Sequence, residues 1–234
     1  LPLEVAKAFR DRFGAMVLDG YGLSETTGAA SFNREIHPRK EMSVGRALDG
    51  CKLGIFDDDR NQLPPGEVGE VAIAGPVVMR EYWGRPEATD AVRDGEWFFT
   101  GDIGRMDEDG DLWIVDRKKD LVIRGGYNVY PREVEEVLYG HPDVLEAAVI
   151  GVADERLGEE IAAVITPQPG ASIDAGAMRA WLEERVASYK VPRIYSIVEE
   201  LPKGATGKIL KRQIDRDDVA TTGERPTRAD APTT

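Results

Sequence analysis

The sequence predicts a mixed fold, α/β and α+β, in which a small β-barrel-like or curled-sheet part is followed by an α+β unit. Two textures carry that prediction. Between about Ser43 and Thr100, short apolar runs such as KLGIF and EVAIAG alternate with turn signals such as LPPGEVG, a pattern of short strands and glycine-rich turns. From about Lys118 onward, longer apolar strands alternate with capped helices over roughly 100 residues, a common size for an independent domain. The 41% hydrophobic content of the 234 residues can supply real cores.

The elements follow in order. Leu3, Ala6, Phe9 and Phe13 recur at helical spacing, and Gly14 stands where a helix would stop. Ala15 to Leu18 reads as a short strand running into DGYGLSETTG. After the curled sheet, DEDGDLWIVDR reads as a hairpin, with Asp109 and Gly110 at the turn and Leu112 to Val115 as the return strand. KDLVIRGG reads as a strand, and Pro131 to Leu138 as a helix with proline in its first turn and acids at its start. LEAAVIGV and EEIAAVITP are apolar strands. Asp174 caps a helix running to about Ala187, and Tyr195 to Val198 is a further strand. Beyond Asp215, TTGERPTRADAPTT lacks apolar residues and is expected to be disordered. No internal repeat is visible.

Composition excludes several functions. No run reaches the eighteen or so apolar residues of a membrane span and no signal segment opens the chain, so a cytoplasmic location is the default expectation. A single cysteine, Cys51, rules out an internal disulfide framework. With only His37 and His141 beside it, a zinc site is not expected, and any metal would be held by oxygen. Neither histidine is assigned a catalytic role. Forty-three acidic against thirty basic residues give a net charge of −13, which repels polyphosphate backbones and argues against nucleic acid as a partner. A small anion remains compatible, because a local lysine or arginine dominates within about 8 to 10 Å. The chain opens at Leu1 inside a helical pattern, which reads as a fragment.

Four stretches carry chemistry. YGLSETTG places an aromatic ring, glycines, a hydroxyl and the Glu25 carboxylate within one loop. It could stack a planar base on Tyr21 and offer Glu25 to a hard cation; taken alone, it is first of all a polar turn after a strand. In WFFTGD, Asp102 sits at a strand end where it could accept two ribose hydroxyls, or simply serve as a turn residue. DRKKDLVIRGGYNVYPREVEE leads from basic residues through Gly125 and Gly126 to a helix start, which alone is also a solvated charge run and an ordinary turn. LPKGATGKIL looks like a phosphate loop. It is not one, since only Ala205 and Thr206 separate Gly204 from Gly207, and Lys208 is followed by Ile209 instead of a magnesium-binding hydroxyl.

In order and spacing, YGLSETTG, GPVVMREYWGRPEAT, WFFTGD, DRKKDLVIRGGYNVYPREVEEVLYGHPDVLEAAVIGV and LPKGATGK together resemble the adenylate-forming acyl-CoA synthetase family, and in particular bacterial long-chain fatty-acid–CoA ligases. The likeness covers residue 1 to about 214 and corresponds to the C-terminal portion of such an enzyme. It implies that residues 1–117 are the end of a large N-terminal adenylate-forming domain with its β-barrel-like subdomain. Residues 118–214 would be a mobile C-terminal α+β lid, and 215–234 a disordered tail.

The same resemblance implies roles for single residues. Tyr21 would stack on adenine, with Gly22 beside it; Ser24 would contact phosphate, and Glu25 would hold Mg2+. Asp102 and Arg117 would bind the ribose hydroxyls of ATP or AMP, Lys119 would be the hinge, and Gly125 and Gly126 would line the CoA channel. Lys208 would bridge the acyl carboxylate and the α-phosphate as the catalytic lysine. ATP, Mg2+ and CoA are thus the expected cofactors and co-substrates, and a fatty acid or other carboxylic acid the substrate. The family's Ser/Thr/Gly-rich phosphate loop and most of the acyl pocket lie upstream of the matched portion, so an upstream N-terminal portion is expected to be required and the chain alone to turn over weakly. Contact with a membrane surface or a carrier protein stays open. Two other readings stand beside this one: a non-catalytic lid module complementing a separate chain, and an adenylation domain loading a carrier protein.

Overall fold

The computed structural model describes residues 3–38 and 40–227. The chain divides into two compact units, one ending at Lys119 and the other beginning at Asp120.

The first unit opens with helix α1, Leu3–Phe13. Gly14 ends it as the spacing predicts, at φ +61° with its N–H on the Arg10 carbonyl, a left-handed stop that glycine adopts without strain. No α1 residue is buried. Residues 15–18 pair with no neighbour among the described residues, so the strand expected there does not form; a strand exists only where a ladder satisfies its backbone. Instead β1 (Gly20–Tyr21), β2 (Ser31–Phe32) and β3 (Arg46–Ala47) make a small antiparallel sheet. A five-stranded antiparallel sheet follows. It comprises β4 (Lys52–Phe56), β5 (Val68–Ala74), β6 (Arg93–Asp94), β7 (Trp97–Met106) and β8 (Leu112–Arg117), with the short helix α2, Pro86–Ala91, leading into β6. Bulges at Glu70/Ala72 and Ile103/Gly104 increase its twist, so the sheet curls as predicted. Leu53, Ile55, Val71, Ile73 and Leu112 form the core on one face, and Phe56, Ala72 and Phe99 a smaller cluster on the other.

The second unit is a five-stranded sheet covered on both faces. Strands β9 (Val122–Arg124) and β10 (Tyr127–Val129) form a hairpin, followed by α3 (Pro131–Tyr139), β11 (Val144–Asp154), β12 (Gly158–Pro167), α4 (Ala175–Glu183), β13 (Ile194–Ile197) and α5 (Arg216–Thr222). The strand order is β10-β9-β12-β11, with β13 pairing β12 in parallel. Period-2 side-chain alternation explains why β11 and β12 read as continuous apolar runs. Ala147, Val149, Ile161, Ala163 and Ile165 pack towards α3 and α4, while Ala148, Ile150, Val152, Ala162 and Val164 pack on the opposite face with Val219 of α5.

Two expectations need correction here. Helix α4 starts at the predicted cap, where Asp174 Oδ1 accepts the Ala177 N–H at 2.7 Å, but it ends at Glu183, not Ala187. The N–H groups of Arg185 and Val186 both turn back to the Leu182 carbonyl, and the tightened turn packs Val186 on the core. Nor is the segment after Asp215 disordered throughout. Asp215 caps α5 by accepting the N–H groups of Asp217 and Asp218, Val219 is buried, and Glu224 and Tyr195 exchange backbone hydrogen bonds of 2.8 and 2.9 Å. One apolar residue at the right helical position, worth about 1.5 to 3 kcal/mol when buried, escaped a judgement made on average composition. Residues 228–234 lie outside the described part.

Candidate functional site

In the first unit, three predicted residues from separate strands meet. Tyr21 on β1 donates its hydroxyl to Asp102 Oδ2 at 2.6 Å, and Arg117 on β8 approaches Asp102 Oδ1 with its Nε at 3.4 Å. Asp102 and Arg117 are direct partners in the β7–β8 ladder, which brings the guanidinium to that carboxylate. Asp102 is buried at 5% exposure, whereas the Arg117 side chain is 44% exposed. Burial, reinforced by the Asp102 carboxylate, pushes the Tyr21 phenol far above its ordinary value, so it stays protonated and donating. The turn before Asp102 is held by its neighbours. Thr100 Oγ1 accepts the Asp102 N–H at 3.1 Å and donates to the Val71 carbonyl, while Glu70 Oε1 accepts the Gly101 N–H at 3.0 Å.

The loop after Tyr21 is built for a close backbone path. A Cβ on Gly22 would lie 2.5 Å from both the Ala29 Cα and the Gly28 oxygen, so only glycine fits where the loop crosses itself. Thr26 closes the single turn Ser24–Thr26, its Oγ1 accepting the Leu23 N–H at 2.9 Å. Ser24 is left exposed, and Glu25 half-buried with Oε1 accepting the Tyr82 hydroxyl at 2.9 Å. Glu25, Tyr82, Thr100, Gly101, Glu70 and Lys118 line one pocket of about 390 Å³. An oxygen donor half-buried at a pocket wall suits a hard cation such as Mg2+. Lys118, after Arg117, pairs with Asp58 at 2.8 Å and Glu70 at 3.0 Å, while the next residue, Lys119, is exposed.

Tyr82, Glu70 and Lys118 were not singled out from sequence. Tyr82 sits in GPVVMREYWGRPEAT, a quoted motif in which nothing local marks its hydroxyl as a carboxylate donor. Glu70 is an ordinary strand acid until the ladder places it beside Gly101. A further acidic group, Asp107, Asp109 and Asp111, has the closeness of a cation site, but the Lys40 ammonium bridges all three carboxylates.

The other predicted residues lie in the second unit. Gly125 and Gly126 form the two-residue turn between β9 and β10, with φ of +56° and +86°. Two positive φ values are what a hairpin turn of the favoured twist requires, and both glycines are exposed. LPKGATGKIL is a second tight hairpin. Gly204 N–H donates to the Lys208 carbonyl at 2.9 Å, Gly207 N–H to the Gly204 carbonyl at 2.9 Å, and Gly207 takes φ +77°. The Lys208 side chain projects exposed, with no hydrogen-bond or ion-pair partner among the described residues. Among the described residues, no helix is long and apolar enough to cross a membrane.

The buried carboxylate shared by a tyrosine and an arginine, the glycine-crossed loop beside it and, in the second unit, the exposed hairpin lysine all fall on the motifs that resemble the adenylate-forming family. The chain belongs to that family: residues 1–83 match the AMP-binding enzyme model and residues 133–208 the AMP-binding enzyme C-terminal domain model. It is 44% identical over 216 residues to a long-chain-fatty-acid–CoA ligase of Bacillus subtilis strain 168, covering 92% of this chain and 38% of that protein. It is 43% identical over 218 residues to a feruloyl-CoA synthase of an Amycolatopsis species, covering 92% and 44%. Among solved structures, ATP-bound MatB from Rhodopseudomonas palustris matches with a TM-score of 0.88 at 35% identity, covering 94% of this chain and 44% of that one. The chain therefore spans less than half the length of these relatives.

Proposed function

We propose that this chain carries the adenosine-side groups and the lid lysine of an ATP-dependent carboxylic acid–CoA ligase. The observation that carries the reading is the convergence of Tyr21, Asp102 and Arg117 on one buried carboxylate. Asp102, held in place by Tyr21 and its turn, would accept the two ribose hydroxyls; Arg117 would donate from the solvent side. Tyr21 would present its ring to adenine, Ser24 would reach phosphate, and Glu25 would hold Mg2+, which supplies charge neutralisation at the phosphates. In the first step the substrate carboxylate attacks the α-phosphorus and pyrophosphate leaves. Negative charge builds on the phosphoryl oxygens, and Lys208, without a partner among the described residues, would stabilise it more in the transition state than in the ground state. In the second step the CoA thiol, losing its proton, attacks the acyl carbonyl and AMP leaves. Gly125 and Gly126, with no side chains in the way, would let pantetheine pass.

The domain reading goes with this. Residues 1–117 would complete an N-terminal domain and 118–214 would be a lid pivoting at Lys119, with Lys208 presented for the first step and the glycine turn for the second. Helix α1 leaves Val5, Phe9 and Phe13 exposed, as a helix docked on preceding polypeptide would. A long-chain fatty acid is the finer reading, supported by the Bacillus subtilis relative; the feruloyl-CoA synthase supports an aromatic acid nearly as well.

The test has two arms. Calorimetry should show AMP binding to the chain and a loss of roughly 10-fold or more in Asp102→Asn, on the scale of a charge-assisted hydrogen bond. Full AMP affinity in that variant would remove the ribose assignment. With ATP, Mg2+, CoA and a fatty acid, pyrophosphate release by the chain alone should be weak, and robust turnover would refute the need for a further N-terminal portion.

A further inference from the structure

The Lys208 side chain has no hydrogen-bond or ion-pair partner among the described residues, so its position depends on the hairpin beneath. Leu201 is buried and Ile209 packs on the second core, which ties both legs to the sheet. Apolar packing of this kind resists lifting but is non-directional and does little against rocking. Two ion pairs supply direction. Lys203, on the first leg opposite Ile209, places its Nζ 2.8 Å from Glu146 Oε2. Lys211, just past the second leg, places its Nζ 2.7 Å from Glu135 Oε1.

Both carboxylates are rooted at the same strand. Glu146 belongs to β11, and Glu135, projecting from α3, accepts the Val149 N–H of β11 at 2.6 Å. The two carboxylate side chains are only 21% and 13% exposed, so each pair has a partly buried acid and is screened less than a pair exposed on both sides, the Lys211–Glu135 pair less than the one made by the exposed Lys203. One such tether would leave a pivot; two, on opposite legs, define an orientation.

We propose that Glu146 and Glu135 are positioning residues for Lys208, a two-point clamp that aims the hairpin. The inference rests on the reading of Lys208 as the lid lysine. A transition-state contact is sensitive to misplacement of about 1 Å, which a rocking hairpin readily produces.

The experiment uses the full chain with Glu146→Gln, Glu135→Gln, and the exchanged pair Glu146→Lys with Lys203→Glu. Hydrogen exchange at the Gly204 and Leu210 amides, which close the hairpin, should quicken about tenfold in each single variant, the scale of one lost part-buried pair, while α4 amides hold their rates. The exchanged pair should restore the slow rates. Residual adenylate formation, followed as pyrophosphate release, should lose kcat by a similar factor with the ATP KM nearly unchanged. Unaltered exchange in both single variants overturns the clamp. Faster exchange with undiminished kcat overturns its catalytic purpose, as does an exchanged pair that folds but does not recover. If the unsubstituted chain forms no adenylate at all, as the need for a further N-terminal portion allows, exchange alone decides the clamp; a chain that binds no AMP counts against the functional reading instead.

Discussion

The Tyr21 hydroxyl donates to Asp102 Oδ2 at 2.6 Å across 81 residues of sequence, joining the small three-stranded sheet to the curled one. The bond is charge-assisted and part-buried, and burial keeps the phenol protonated at every ordinary pH. Tyr21→Phe keeps the ring and its packing but removes the donor. It should destabilise the first unit by about 1.5 to 3 kcal/mol, the worth of a hydrogen bond to a charged group. Urea denaturation followed by hydrogen exchange should show the loss in residues up to Lys119 and none in the second unit. An equal loss in both would mean the bond is not local to the first unit.

Gly22 gives a sharper steric prediction. Its Cβ position is filled by backbone on both sides, and backbone cannot swing away as a flexible side chain can. Gly22→Ala should cost about 1 to 3 kcal/mol as an overpacking change and should disturb AMP binding along with the loop. Gly28, with open space around it but φ +99°, separates clash from backbone strain. Gly28→Ala should cost only about 1 kcal/mol. Thermal melts of the two variants check the order, and a milder Gly22→Ala would contradict it.

The Lys40 cluster sets an acid response. Asp109 is held below its usual value by the Lys40 hydrogen bond, and in Asp107 burial acts upward but is outweighed by Lys40 and by backbone donors. Both folded values lie under the ordinary 3.8. The stabilisation is therefore complete above pH 4 or so and is lost as pH falls through the folded values. Lys40→Met should flatten the fall in first-unit stability as pH drops below the ordinary carboxylate value of 3.8, read by denaturant midpoints on the acid side of it. Added Mg2+ or Ca2+ should not stabilise the unsubstituted cluster, because an ammonium already bridges it.

Elements with a strong local signal were legible in the sequence. Gly14 as a helix stop, Asp174 as a cap, the Asp109–Gly110 turn and the apolar runs of β11 and β12 each depend on a few adjacent residues. Partnerships set by the ladders were not. Nothing near Glu70 announces that it will accept the Gly101 N–H, and the strand expected at Ala15 to Leu18 had the right residues without a neighbour to pair them. The candidate site divides in the same way. Tyr21, Asp102 and Arg117 were found through the motifs, yet the approach of Arg117 to Asp102 is a property of the β7–β8 register and that of Tyr21 a contact between two sheets.

Helix α5 was hidden because its packing rests on few residues. Val219→Asp would place a carboxylate among Ile150, Val152, Ala162 and Val164 with no partner there. It should cost the second unit about 3 kcal/mol or more, enough to lower its melting temperature by several degrees. Val219→Ala should cost about 1 to 2 kcal/mol. A variant ending at Asp215 should lose the Glu224–Tyr195 pairing as well and melt lower than Val219→Ala. Identical melting of the shortened and unshortened chains would return the segment to the status of a tail.

Lys208 provides the test in which stability and activity should part. Its side chain is exposed and touches no partner among the described residues, so Lys208→Ala should leave the unfolding midpoint of the second unit unchanged within about 0.5 kcal/mol, as surface substitutions do. The same change should lower adenylate formation by about 10² to 10³, the cost of one electrostatic donor at a developing charge. Lys208→Arg keeps the charge but not the compact ammonium, and should recover only part of the rate. Thioester formation from a supplied acyl-adenylate and CoA should be affected far less, since that step does not need the lysine at the phosphate. Equal losses in both steps would mean that Lys208 supports the lid in general and does not act on the α-phosphate.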